Sequence, residues 1–97
     1  MGKRLKTGTC ELCARVTPLT FHHLVPKSQH RRTWCRKRFT REERERGIAI
    51  CRPCHNGIHA LYSEKELARS LNSLDLLLDD EAIRRHVAWV AKQKIRV

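Results

Sequence analysis

Four cysteines and four histidines in this chain stand at spacings that suit metal chemistry. Cys10 and Cys13 form one C-x-x-C pair, and Cys51 and Cys54 form a second. Thiolates are soft donors, and each pair can grip an ion from a tight turn. Four of them make a closed tetrahedral site for Zn²⁺. Such a zinc would tie the start of the chain to residues 48–50 and fix the N-terminus of the helix that follows. The stretch CRPCHNGIH then adds His55 and His59 at i and i+4, a spacing that puts both on one helix face. One ion could take both imidazoles from one turn. His22 and His23 are adjacent on a segment that reads as a strand, so they point to opposite sides, which suggests two different jobs. Plainer readings exist: His55 could replace a cysteine in a mixed site, and C-x-x-C followed by H-x₃-H also occurs in nucleic-acid-binding zinc fingers. Eight good donors are nevertheless too many for one zinc and suit two sites. One would be closed by thiolates, and one built of imidazoles with room for water and substrate, as catalytic metal sites require.

The elements that must position these residues are partly legible. Val16, Thr17, Leu19, Thr20 and Phe21 favour a strand, read over 17–23 and ended by Pro26. Ile48 to Ile50 reads as a second strand, antiparallel to the first. Ile58, Leu61 and Tyr62 recur at helical spacing from about Cys54 to Tyr62. Thr40 with Glu43, and Ser63 with Glu66, fit capping boxes that open helices at about 41–46 and 64–71. Gly47 ends the first of these, and Asn72 or Ser73 opens the next turn. Asp79 and Asp80 cap a last helix, 81–93, with Ile83, Val87, Val90 and Ala91 on its apolar face. Trp89 is expected to pack there too, and Trp34 and Phe39 in the core. His86 and Cys35 read as structural. The first six residues are basic and read as a free arm.

With 97 residues the chain is one domain at most, and its core is thin, a situation in which small folds add metals or partners. The N-terminus has no apolar stretch of a signal peptide, and no apolar run approaches membrane-spanning length. An intracellular, cytoplasmic setting is expected, without a membrane partner; paired cysteines there read as metal ligands rather than disulfides. The formal charge of +11 argues for a polyanionic partner, most often nucleic acid. Residues 27–46 hold nine Lys/Arg against three Glu, a net of +6. Within them Lys27, His30, Arg31, Arg32, Arg36, Lys37, Arg38 and Arg41 are the candidates to contact phosphates, with salt-dependent binding.

The segments TFHHLVPKS (20–28) and ICRPCHNGIH (50–59) together resemble the HNH nuclease family of the ββα-metal superfamily. The resemblance covers roughly residues 8–62 of a single domain 1–97, with 63–97 as a helical extension. It implies a small α+β fold: a two-stranded antiparallel hairpin plus a helix, with a four-cysteine zinc knuckle and further C-terminal helices. It implies a metal-dependent DNA endonuclease, RNA being a second possible substrate, acting as monomer or homodimer. His22, His55 and His59 would hold the catalytic ion, and His23 would be the general base that takes a proton from the attacking water. Cys10, Cys13, Cys51 and Cys54 would hold a structural Zn²⁺. Three imidazoles favour Zn²⁺, Ni²⁺ or Co²⁺ as the catalytic cation, and family members also work with Mg²⁺ or Mn²⁺. The family's central Asn, which orients the base, has no counterpart, since Arg46 occupies its position. A zinc-containing nucleic-acid-binding module without catalysis is the competing reading, and a structural or ribosome-associated zinc protein a third.

Overall fold

The computed structural model describes residues 4–93, with residues 4–6 as backbone alone. Its centre is an antiparallel sheet of three strands, β1 (Arg4–Thr9), β2 (Val16–His23) and β3 (Gly47–Cys51), in the order β1-β2-β3. The β2–β3 ladder pairs Thr20 with Ile50 and His22 with Ile48. It continues past the strand ends through a bond from the Leu24 N–H to the Arg46 carbonyl. A 3-10 turn (Lys27–Gln29), α1 (Thr33–Arg38) and α2 (Arg41–Glu45) lie between β2 and β3, and α3 (Arg52–Leu61), α4 (Glu64–Ser70), α5 (Leu74–Asp79) and α6 (Glu81–Ala91) come after β3.

Two elements depart from expectation. The sheet has three strands rather than a two-stranded hairpin, because the segment expected to be a free arm begins β1 at Arg4; residues 1–3 lie outside the described part. RLKTGT has no apolar alternation to announce a strand, and it is added at a sheet edge, where backbone pairing alone suffices. The basic centre also holds a helix, α1, that carries no acidic first turn and no side-chain cap.

The helix starts follow local chemistry. Both capping boxes form, at Thr40/Glu43 and Ser63/Glu66, while Ser73 and Asp80 cap α5 and α6 by accepting from Leu76 and Ile83 N–H groups. Helix α3 starts two residues before the expected Cys54. Cys51 is its N-cap, and Pro53 falls in the first turn, where the missing N–H is not needed. Helix α6 ends at Ala91, since Lys92 is its C-cap.

The core forms between one sheet face and the helices. Ile48, Ile50, Ile58, Leu67, Leu77, Ile83 and Val90 form one buried cluster with Cys10, Cys13, Cys51 and Cys54. The helical extension therefore shares its core with the sheet. Cys35 joins Val25 and Ala68 in a smaller cluster, with Trp34 and Phe39 half-buried against it. Trp89 is a correction: it is 57% exposed. The buried line of α6 runs through Ile83 and Val90, with Val87 packed beside it, and Trp89 falls off that line.

The Cys10–Cys13 segment also closes the sheet. The backbone N–H of Glu11 donates to the Ala49 carbonyl (3.0 Å), and the Glu11 carboxylate accepts from the Ala49 N–H (2.6 Å). Ala14 has a left-handed φ of 64°, the one non-glycine residue in that region among those described, and it turns the chain out of the Cys10–Cys13 knuckle into β2.

Candidate metal centres and cleft

Cys10 and Cys13 come from the knuckle between β1 and β2, Cys51 from the end of β3, and Cys54 from the first turn of α3. Their four sulfurs lie within 4.8 Å of one another, and all four residues are buried. Cys13 Sγ and Cys51 Sγ are 3.6 Å apart. A tetrahedron with Zn–S arms of ~2.3 Å has edges of about 3.8 Å, close to the Cys13–Cys51 spacing, so the cluster could hold a zinc ion. The N–H groups of Cys13 and Cys51 point at Cys10 Sγ (3.5 and 3.3 Å). Together with a bond from the Cys54 thiol, they hold Cys10 far below the usual thiol range. Arg15 reaches Cys51 Sγ with one guanidinium nitrogen (3.6 Å) and the Gln93 carbonyl with the other (3.1 Å). A positive charge thus lies beside the sulfur cluster, and the knuckle is tied to the residue just past the C-cap of α6.

The next turn of α3 carries the second cluster. One donor atom each from His22, His55 and His59 falls within a common 4.8 Å. The rings of His22 and His55 are 5.1 Å apart, those of His22 and His59 5.4 Å, and those of His55 and His59 4.9 Å. His22 is 1% exposed, and its Nε2 is buried with no hydrogen-bond partner. An unpaired buried polar nitrogen costs about 1–3 kcal/mol, which a bound cation would offset. Burial, then His55, His59 and His23, push the His22 pKa down to about 3. Burial, then His59, Arg52 and His23, push His55 down to about 4. Both rings are thus neutral at neutral pH, the form that ligates metals. The His55 Nδ1 lies 2.9 Å from Thr20 Oγ1, which also bonds the Ile50 carbonyl (3.0 Å).

His23, the adjacent residue on β2, does not join the three. Its ring packs edge-on against Phe21 (4.8 Å between centroids) and near His30 (5.9 Å). The Phe21 ring in turn lies against Gly47, where any Cβ would collide with it. Burial, then His30 and Lys27, lower the His23 pKa. The His30 Nε2–H donates to the Val25 carbonyl at 2.6 Å, which fixes that ring.

These side chains line a cleft of about 530 Å³, bounded by Phe21, His22, His23, Pro26, Lys27, His55, His59, Tyr62, Ser63 and Glu64. Of the basic residues singled out from the sequence, only Lys27 reaches the cleft wall. Arg31, Arg32, Arg36, Lys37 and Arg41 are exposed on and around α1 and α2. Arg38 is otherwise engaged: it donates to the Arg69 carbonyl at the end of α4 (2.8 Å) and covers the Phe39 ring. Sequence reasoning missed Thr20, Tyr62 and Glu64. The capping box at Ser63 signals where α4 begins, but its position on the cleft rim depends on how α4 packs against residues 27–29.

The chain is 39% identical over 99 aligned residues to an uncharacterized protein, YisB, of Bacillus subtilis (strain 168), covering 96% of this chain and 82% of that protein. No family model matches the chain. No solved structure matches it. Among the described residues, no helix is long and apolar enough to cross a membrane.

Proposed function

The chain belongs to the family of YisB, and from its cleft we propose that it is a divalent-metal-dependent endonuclease of the HNH type, hydrolysing phosphodiester bonds in DNA. One observation carries the proposal. Three imidazoles from β2 and α3 bring their donor atoms together, one of them the buried, unpaired Nε2 of His22, and a fourth imidazole that is not among them stands at the adjacent position of β2, on the same cleft wall. In this reading β2, β3 and α3 are the ββα-metal unit, and the four-cysteine cluster is its structural zinc site.

His22, His55 and His59 would hold the catalytic cation. When bound, that cation supplies positive charge where negative charge develops on the scissile phosphate and the leaving oxygen. His23 accepts the proton of the attacking water. Its lowered pKa keeps it neutral and available at pH 7. Phe21 and His30 hold its ring by edge contacts, in place of the amide side chain that Arg46 replaces. Lys27 on the wall engages the substrate phosphate, and the exposed arginines around α1 neutralise flanking phosphates. The expected products carry a 5′-phosphate and a 3′-hydroxyl.

The test is plasmid nicking across Mg²⁺, Mn²⁺, Co²⁺, Ni²⁺ and Zn²⁺, with His23→Ala beside the wild type and an RNA substrate in parallel. Cleavage by the wild type alone, with metal and DNA binding retained in the variant, supports the assignment. Binding of DNA without cleavage under every metal would instead make the protein a zinc-stapled nucleic-acid-binding module.

A further inference from the structure

The bond between His55 and Thr20 decides which nitrogen of His55 faces the cleft. The Thr20 hydroxyl has a single proton and two neighbours, the Ile50 carbonyl at 3.0 Å, which can only accept, and His55 Nδ1 at 2.9 Å. Thr20 and Ile50 are partners in the β2–β3 ladder, so the strand pairing itself sets this bond. Thr20 is 8% exposed and Ile50 fully buried, which leaves little room for water to take the proton instead. With its proton on that carbonyl, the hydroxyl oxygen offers His55 Nδ1 a lone pair. In that arrangement the hydroxyl accepts and Nδ1 carries the ring proton. His55 is then left with a bare Nε2. A free histidine side chain favours the opposite tautomer, with the proton on Nε2, where it would block coordination.

We propose that Thr20 is a positioning residue that locks His55 in its Nδ1–H form, so that the Nε2 lone pair is presented to the cation shared with His22 and His59. The inference rests on reading these three histidines as an ion site. The outer partner of a metal-binding imidazole fixes its tautomer and orientation, and its loss commonly weakens metal affinity 10- to 100-fold, as an order-of-magnitude guide. Here the partner is a hydroxyl already engaged by the sheet. The same ladder thus places His22 and sets the tautomer of His55.

Long-range ¹H–¹⁵N correlation spectra of the full chain, with zinc in the thiolate site and no other metal, report the His55 tautomer directly. The wild type and Thr20→Ser should show Nδ1–H. Thr20→Val, which keeps the β-branched shape and loses the hydroxyl, should shift His55 toward Nε2–H. Co²⁺ affinity, followed by visible absorption, should fall about 10-fold or more in Thr20→Val and recover in Thr20→Ser. An Nε2–H tautomer in the wild type overturns the proposal, as does a valine variant with unchanged tautomer and affinity. A wild type that shows Nδ1–H, loses it in Thr20→Val and yet binds no Co²⁺ supports the lock and overturns the ion site, so the two failures are separable. Should Thr20→Val not fold, the wild-type tautomer still decides.

Discussion

The imidazole of His86 on α6 occupies the space that a Cβ on Gly57, in the middle of α3, would need. Its Nε2–H donates to the Pro53 carbonyl one turn earlier on α3 (2.9 Å). Helix α3 carries His55 and His59, so this contact sets the ligand helix against the C-terminal helix. Gly57→Ala gains about 1 kcal/mol of helix preference but forces an overlap costing about 1–3 kcal/mol. We expect a net loss of stability of up to about 2 kcal/mol by urea unfolding. In a His86→Ala background the same change should be neutral or stabilising.

If the four cysteines hold a metal ion, removing it should unfold the protein. The four cysteines join the knuckle, the end of β3 and the N-cap of α3 within one core cluster. Structural zinc commonly contributes apparent binding free energies on the order of 10 kcal/mol or more, well above the usual stability of so small a domain. Far-UV circular dichroism during titration with a strong chelator should show helix loss in step with zinc release. Retention of the helical signal in metal-free protein would contradict this.

Acid should destabilise the imidazole cluster before it reaches most carboxylates. His22 and His55 have folded pKa values of about 3 and about 4, below the ordinary histidine value of ~6.5. The folded state therefore binds fewer protons than the unfolded chain below about pH 6.5. The stability from these neutral rings is fully present above that pH and is lost as pH falls toward 4 and then 3. Denaturant midpoints at pH 7, 6 and 5, without added metal, should decline more steeply for the wild type than for His22→Leu. Parallel declines would remove His22 as the cause.

Two neighbouring arginines should behave differently. Arg36 is exposed on α1 and free to meet a phosphate, whereas Arg38 is committed to the Arg69 carbonyl and the Phe39 ring. Arg36→Ala should weaken DNA binding and reduce the salt slope by about one phosphate contact, leaving stability unchanged. Arg38→Ala should lower the melting temperature instead. A reversed pattern would relocate the basic surface.

What the sequence disclosed was local. The C-x-x-C pairs, the i and i+4 histidines, the capping boxes at Thr40 and Ser63, and the β-branched run ahead of His22 each depend on neighbours a few residues away, and each forms. What it hid was relational. β1 is held by pairing rather than by its own apolar pattern. α1 has no cap to mark it. Thr20 reads as one more strand former until the register sets it beside Ile50 and under His55. Gly57 carries no local signal of its role, which is the close approach of His86. Trp89 lies near the apolar face of α6 in sequence, but the buried line through Ile83 and Val90 leaves it outside.

The clamp between Glu11 and Ala49 gives the knuckle a second consequence. β3 is the outer strand on its side of the sheet, and of the backbone groups it turns away from β2, both of those of Ala49 are taken up by Glu11 and the Cys51 N–H by Cys10 Sγ. The four-cysteine knuckle thus acts as a guard rail along a strand that would otherwise be a template for a neighbouring chain. If an ion holds the knuckle in place, its loss would expose that template at the same moment as the fold loosens, and metal-starved protein should self-associate through β3 rather than merely unfold.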